Sequence, residues 1–161
     1  MTADGIVAGY DGSAGSDQAL SCAAREARAR GVTLTVCHAW GPGYAPPDAE
    51  ALAMNLLRRN GEQVLARGLR YARAITSSGR VRPLLADGSA ASALCERSHG
   101  ADMAVVGSRG RGGIAGLLLG SVSTQVADTT RPGGRSGRLG PMAVRTRKLL
   151  AEFDSEPGRP G

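Results

Sequence analysis

"GIVAGYDGSAGSDQALSCAAREARARGVTLTVCHAW", residues 5–40, reads as a strand, a helix and a second strand. Ile6 to Tyr10 is a short apolar run closed by Asp-Gly-Ser, the punctuation of a buried strand that ends in a tight turn. Ser16 and Asp17 are placed to cap a helix whose apolar stripe is Ala19, Leu20, Ala23, Ala24 and Ala27, and Gly31 ends it. "VTLTVCHAW" is β-branched and apolar, as a second buried strand should be.

The alternation continues outward from this unit. After the loop "GPGYAPP", a helical pattern runs from Asp48 to about Thr76, with Leu57, Val64, Leu65, Ala72 and Ile75 along one face. Gly61 and Gly68 weaken it and are candidate breaks. "RVRPLLA" is a third strand, which Pro83 assigns to a sheet edge because the missing N–H is harmless there. Ser89 caps a short helix through Ala93, Leu94 and Cys95, closed by His99 and Gly100. "MAVVG" is a fourth strand, and Leu117 to Ala127 form a last helix with Leu118, Val122 and Val126 in register. Apolar strands alternating with helices imply an α/β fold, a single open doubly wound parallel sheet of Rossmann-like type, covered on both faces.

Its 161 residues suit a single domain, and with 42% apolar but only 3% aromatic content the core must be aliphatic. Residues 1–130 form that domain, whereas 131–161 are rich in Arg, Gly and Pro and cannot bury enough apolar surface to order themselves, apart from a short "MAVRT". A fifth strand is therefore expected to be degenerate or missing. This composition fits a GC-rich gene read in a shifted frame, which translation of the other frames of the coding DNA would test.

"MTADGIVAGYDG" lacks the basic and apolar regions of a signal peptide, and no run approaches the roughly 18 apolar residues of a membrane span. A cytoplasmic protein without a membrane partner is expected. Cys22, Cys37 and Cys95 have no metal-ligand spacing and read as buried reduced thiols. Residues 1–130 carry 13 basic and 11 acidic side chains, a net +2, while 131–161 carry seven and three, a net +4. The basic excess lies mostly in the tail, so specific nucleic-acid binding by the body is not expected.

In such sheets ligands sit beyond the carboxyl ends of the strands, where the strand order reverses. Those ends carry "YDGS", "HAW" and "GSRGRGG". The last opens "VVGSRGRGGIAGLLLGS", Val105 to Ser121, in which six of seventeen residues are glycine. A bare loop entering a helix presents successive amides to an anion, and amides near Gly110, Gly120 and Ser121 could converge on a polyphosphate. A flexible loop with Ser121 as a plain helix cap is the competing reading. A Walker-type loop is excluded, since Lys148 is the only lysine among 20 basic residues. Gly110, Gly112 and Ala115 fit a dinucleotide fingerprint, but they follow the fourth strand rather than the first, so NAD is discounted.

Asp11 is either a ligand for ribose or Mg²⁺ or the polar residue of its turn. His38 faces the same rim or is a satisfied core residue, and His99 complements a helix end. Arg109 and Arg111 either meet a γ-phosphate or stay solvated; Trp40 either covers a base or packs under the 41–47 loop. Ser108 lacks the first glycine of a nucleophile elbow, and no catalytic base for attack on a phosphate is visible.

The segment 105–127 resembles the nucleotide signature of the universal stress protein family: Gly, two residues, Gly, nine residues, Gly, then Ser or Thr. Gly107, Gly110, Gly120 and Ser121 meet that spacing without a gap. "IVAGYDGSAGSDQAL", "TLTVCHAW" and "RPLLADGSAASAL" resemble the family's first three strands and turns, so the likeness runs in order over about residues 4–128. The resemblance implies an adenine-nucleotide-binding fold that takes ATP with Mg²⁺ and acts in stress response. It implies Asp11 beside the adenosine and metal, main chain near Ala39 for adenine, and Val106 and Gly107 along base and ribose. Gly110, Gly120, Ser121 and Val122 would hold the phosphates. Family members commonly pair through a valine-rich fifth strand, and its loss here puts the homodimer in doubt. A nucleotide-free dimerising module and a slow ATPase or phosphotransferase are the alternatives.

Overall fold

The computed structural model describes residues 5–41, 51–77 and 80–107. The expected last helix, fifth strand and tail, the loop at 42–47 and the helix start at Asp48 lie outside them.

β1 (Ile6–Gly9) is the strand on which the sheet is built. Ile6 and Tyr10 donate their amides to Thr33 and Cys37 on one side, at 2.9 and 2.8 Å, while the Gly5 carbonyl accepts from Asp102 on the other at 2.7 Å. The elements that follow are α1 (Ala14–Arg30), β2 (Leu34–Trp40), α2 (Ala51–Thr76), β3 (Val81–Asp87), α3 (Ala90–Ser98) and β4 (Met103–Val105). All four strands are parallel, in the order β3-β2-β1-β4. Ile6, Ala8, Tyr10, Leu34 and Val36 pack against Leu20, Ala23 and Ala27 of α1 and Leu65 and Ala72 of α2. Val7 and Cys37, one residue out of phase, pack with Leu94 of α3 and Val106. Two helices thus cover one face and α3 the other, and the expected doubly wound α/β architecture is what forms.

Every residue of the expected α1 stripe is buried, and Gly31 ends the helix in the left-handed conformation at φ 66°. The cap, however, is Ser13 and not Ser16 or Asp17: its side chain accepts from the Ser16 amide at 3.2 Å. Ser16 is buried in the first turn, where its Oγ donates to the Ser13 carbonyl at 2.9 Å. Ser13 has the extended ψ of 160° that a cap requires, so the helix starts a turn earlier than expected.

α2 runs unbroken through both suspect glycines. They mark close approach instead: a Cβ at Gly61 would lie 2.8 Å from Trp40 Cβ, and one at Gly68 would lie 2.7 Å from the Tyr10 ring. Gly61, Leu65, Gly68, Ala72 and Thr76 form the buried face, while Leu57 turns out to be exposed. Pro83 sits where its residue type predicts. Arg80 O accepts from Leu34, and Trp40 O accepts from Gly88. By alternation Arg82, Leu84 and Ala86 face β2, and Pro83 turns its ring nitrogen outward on an outer strand of the described sheet.

Of the three thiols only Cys37 is buried, and burial pushes it up to about 11; Cys22 and Cys95 are half-buried, short of the full burial expected, and no disulfide joins them. No described helix is long and apolar enough to cross a membrane.

Candidate functional site

The chain leaves β1 toward β2 on one side and returns through α3 to β4 on the other, which puts the reversal of strand order between β1 and β4. Two expected site residues lie there, each against the start of α1. Gly107 follows β4, and a Cβ on it would lie 2.8 Å from both C and O of Gly15 and 3.1 Å from the Ser16 amide. Main chain therefore presses on main chain at the start of α1, leaving no space for a side chain.

Asp11 lies in the turn that enters the same helix. Its Oδ1 accepts from the Ser13 amide at 2.9 Å and from Ser13 Oγ at 2.6 Å, an Asx turn, and its own amide donates to Ser16 Oγ at 3.3 Å. Gly12 supplies the positive φ of 79° that the turn needs. The turn role is thus realised, and it sets the direction of the carboxylate. Ala39 is the last residue but one of β2, past the stretch paired with β1, on the face it shares by alternation with Cys37. The Val106 side chain is buried in the core under α3. Among the described residues, no group of three or more His, Cys, Asp or Glu side chains could hold a metal. Gly110, Gly120, Ser121 and Val122, with Ser108, Arg109 and Arg111, lie outside the described residues.

The rim histidine takes its structural reading, since His38 Nδ1 donates to the Tyr10 carbonyl at 2.7 Å. Trp40 sets its Cβ against Gly61, while residues 42–47 of the loop it was expected to pack under lie outside the described residues. His99 Nδ1 donates to the Cys95 carbonyl at 2.7 Å at the end of α3, as its position predicts.

Sequence reading missed one cluster. Tyr10, 3% exposed, donates its hydroxyl to Asp17 Oδ1 at 2.8 Å, and Arg67 of α2 reaches Asp17 Oδ2 at 3.1 Å. Burial, and then the Asp17 hydrogen bond and charge, push Tyr10 from 10.0 up to about 12. The folded chain holds that proton more tightly than the unfolded one. The resulting stability is complete below pH 10 and is lost as pH rises through 12. A shift of this size corresponds to about 2–3 kcal/mol. Urea unfolding across that range should show the loss, and Tyr10→Phe should flatten it; an equal slope in both proteins would refute the assignment.

The Universal stress protein family model matches residues 3–131. The chain belongs to the universal stress protein family. Among its relatives, universal stress protein Rv2623 of Mycobacterium tuberculosis (strain ATCC 25618 / H37Rv) is 36% identical over 133 residues, covering 78% of this chain and 42% of that protein. The chain thus spans less than half the length of that relative. Among solved structures, the universal stress protein UspA from Lactobacillus plantarum superposes with a TM-score of 0.67 at 14% identity, covering 80% of this chain and 93% of that one. At that identity it speaks for the fold alone. A universal stress protein in complex with cAMP is 29% identical, with a TM-score of 0.57 and coverage of 78% and 90%.

Proposed function

We propose that this universal stress protein binds an adenine nucleotide, ATP with Mg²⁺, at the crest of the sheet and acts in the cytoplasm as a nucleotide-dependent regulator. The observation that carries the reading is the flush contact of Gly107 with Gly15 beside the Asp11 turn, at the reversal of strand order. That contact fixes the exit of β4 against the start of α1, next to the Asp11 turn. The glycines and serine that continue the phosphate spacing follow directly in sequence.

The donor set suits the group. Mg²⁺ keeps several waters and takes one or two carboxylates beside substrate phosphates, so a single oriented Asp11 is enough from the protein. Main chain at Ala39, Val106 and Gly107 would hold base and ribose. Gly110, Gly120, Ser121 and Val122 would hold phosphates, and the cation would neutralise their charge. The reading is one of binding rather than turnover.

Calorimetry on the full chain with Mg-ATP, AMP and cAMP tests it. Mg-ATP should bind, and Asp11→Ala should weaken it by at least about tenfold, since loss of a group that merely supports a ligand already costs that much. Absence of binding by every adenine nucleotide would sink the proposal, and ADP accumulating over hours would move it to an ATPase. Preference for cAMP, favoured by the 29% identical relative solved with that ligand, would redirect it to a cyclic nucleotide.

A further inference from the structure

We propose that Tyr10 and Asp17 form a positioning clamp that fixes the Asp11 turn in the geometry a nucleotide requires, a role that rests on the reading of Asp11 as a ligand. Tyr10 is the residue before Asp11, and each polar group it owns is held. Its amide donates to the Cys37 carbonyl at 2.8 Å, its carbonyl accepts from His38 Nδ1 at 2.7 Å, and its hydroxyl donates to Asp17 Oδ1 at 2.8 Å. Its ring lies against Gly68, where a Cβ would come within 2.7 Å. Asp17 belongs to the first turn of α1, the helix that the Asp11 turn enters, and Arg67 holds its second oxygen. The turn is therefore gripped at both ends by one side-chain pair.

The grip matters because the turn itself is permissive. Gly12, at φ 79°, has the freest backbone of any residue type, and it separates Asp11 from the Ser13 and Ser16 groups that bond to it. A ligating carboxylate has to be held to within roughly 0.5 Å by a supporting shell. A phenylalanine would fill the same buried space without bringing a polar group inside. The hydroxyl and its carboxylate instead add direction, because the bond forms only when α1 and the end of β1 are in register.

The test compares the full chain with Tyr10→Phe, Asp17→Ala and Asp17→Asn. Asn still accepts from the Tyr10 hydroxyl, so it is the conservative variant. Tyr10→Phe and Asp17→Ala should weaken Mg-ATP by about tenfold, while Asp17→Asn stays within about twofold of the parent. Adenosine, which has no phosphates or metal, should change by less than about twofold in all three. A second readout needs no nucleotide: hydrogen exchange at the Ser13 amide, which donates to Asp11 Oδ1, should quicken about tenfold in Tyr10→Phe and Asp17→Ala but not in Asp17→Asn. Equal exchange in all four proteins overturns the clamp. So does an Asp17→Asn that behaves like Asp17→Ala, or a loss of adenosine as large as that of Mg-ATP. If the parent binds no nucleotide, the ligand role of Asp11 falls, and the exchange pattern alone decides whether the clamp holds the turn.

Discussion

Gly107→Ala should weaken nucleotide binding strongly while leaving a folded protein. The added Cβ would lie 2.8 Å from C and O of Gly15, and both are main-chain atoms that no rotamer change can move aside. Restoring ordinary contact requires β4's exit and the start of α1 to part by roughly half an ångström, and overpacking of this kind costs about 1–3 kcal/mol. Binding should suffer more than stability, because the same separation moves the Asp11 turn away from β4, the strand that precedes the glycines proposed to hold phosphates. A shift of about half an ångström reaches the tolerance of a binding constellation, so the Kd for Mg-ATP should rise by at least about tenfold in calorimetry. Gly88→Ala is the control: Gly88 has φ +88° with nothing within 4 Å of the added carbon. It should lose about 1–2 kcal/mol of stability through left-handed strain and keep its affinity. If Gly107→Ala binds Mg-ATP as the parent does, the nucleotide does not depend on this contact.

What could be read from sequence is what repeats along one element. The stripe Ala19, Leu20, Ala23, Ala24, Ala27 has the helical period, and each of its members is buried. Pro83 announces its own edge because a missing N–H has few other places to go. Asp11, Ala39 and Gly107 could be placed at strand ends because doubly wound topology fixes where those ends lie. The illegible part is what one element does to another. Gly61 and Gly68 look like breaks from within α2, and only Trp40 and Tyr10 opposite them show why the helix needs glycine and stays whole. Ser13, Ser16 and Asp17 are all capping types within five positions; the Asx turn at Asp11 selected Ser13 and released Asp17 to bind Tyr10. Arg67 joins that pair across fifty positions, a spacing that carries no local pattern.

Gly5→Ala should be the most destabilising single change among the described glycines. Gly5 has φ +74°, and a Cβ there would lie 2.1 Å from the Thr33 carbonyl oxygen. That oxygen accepts the Ile6 amide at 2.9 Å, and Gly5's own carbonyl accepts from Asp102 at 2.7 Å. One residue therefore stands where β2, β1 and β4 all begin, and the carbon cannot be fitted without breaking the first rung of the ladder between β1 and β2. Left-handed strain of about 1–2 kcal/mol and a lost buried hydrogen bond of about 1–3 kcal/mol together predict a loss of about 4 kcal/mol. For a domain with a net stability of roughly 5–15 kcal/mol, this brings urea unfolding close to zero denaturant. Gly31→Ala separates the two causes, since Gly31 has φ +66° but nothing within 4 Å of an added Cβ. It should show the strain alone. Equal midpoints for the two variants would mean that the approach of Gly5 to Thr33 carries no weight, and that β1 is held in register from elsewhere along its length.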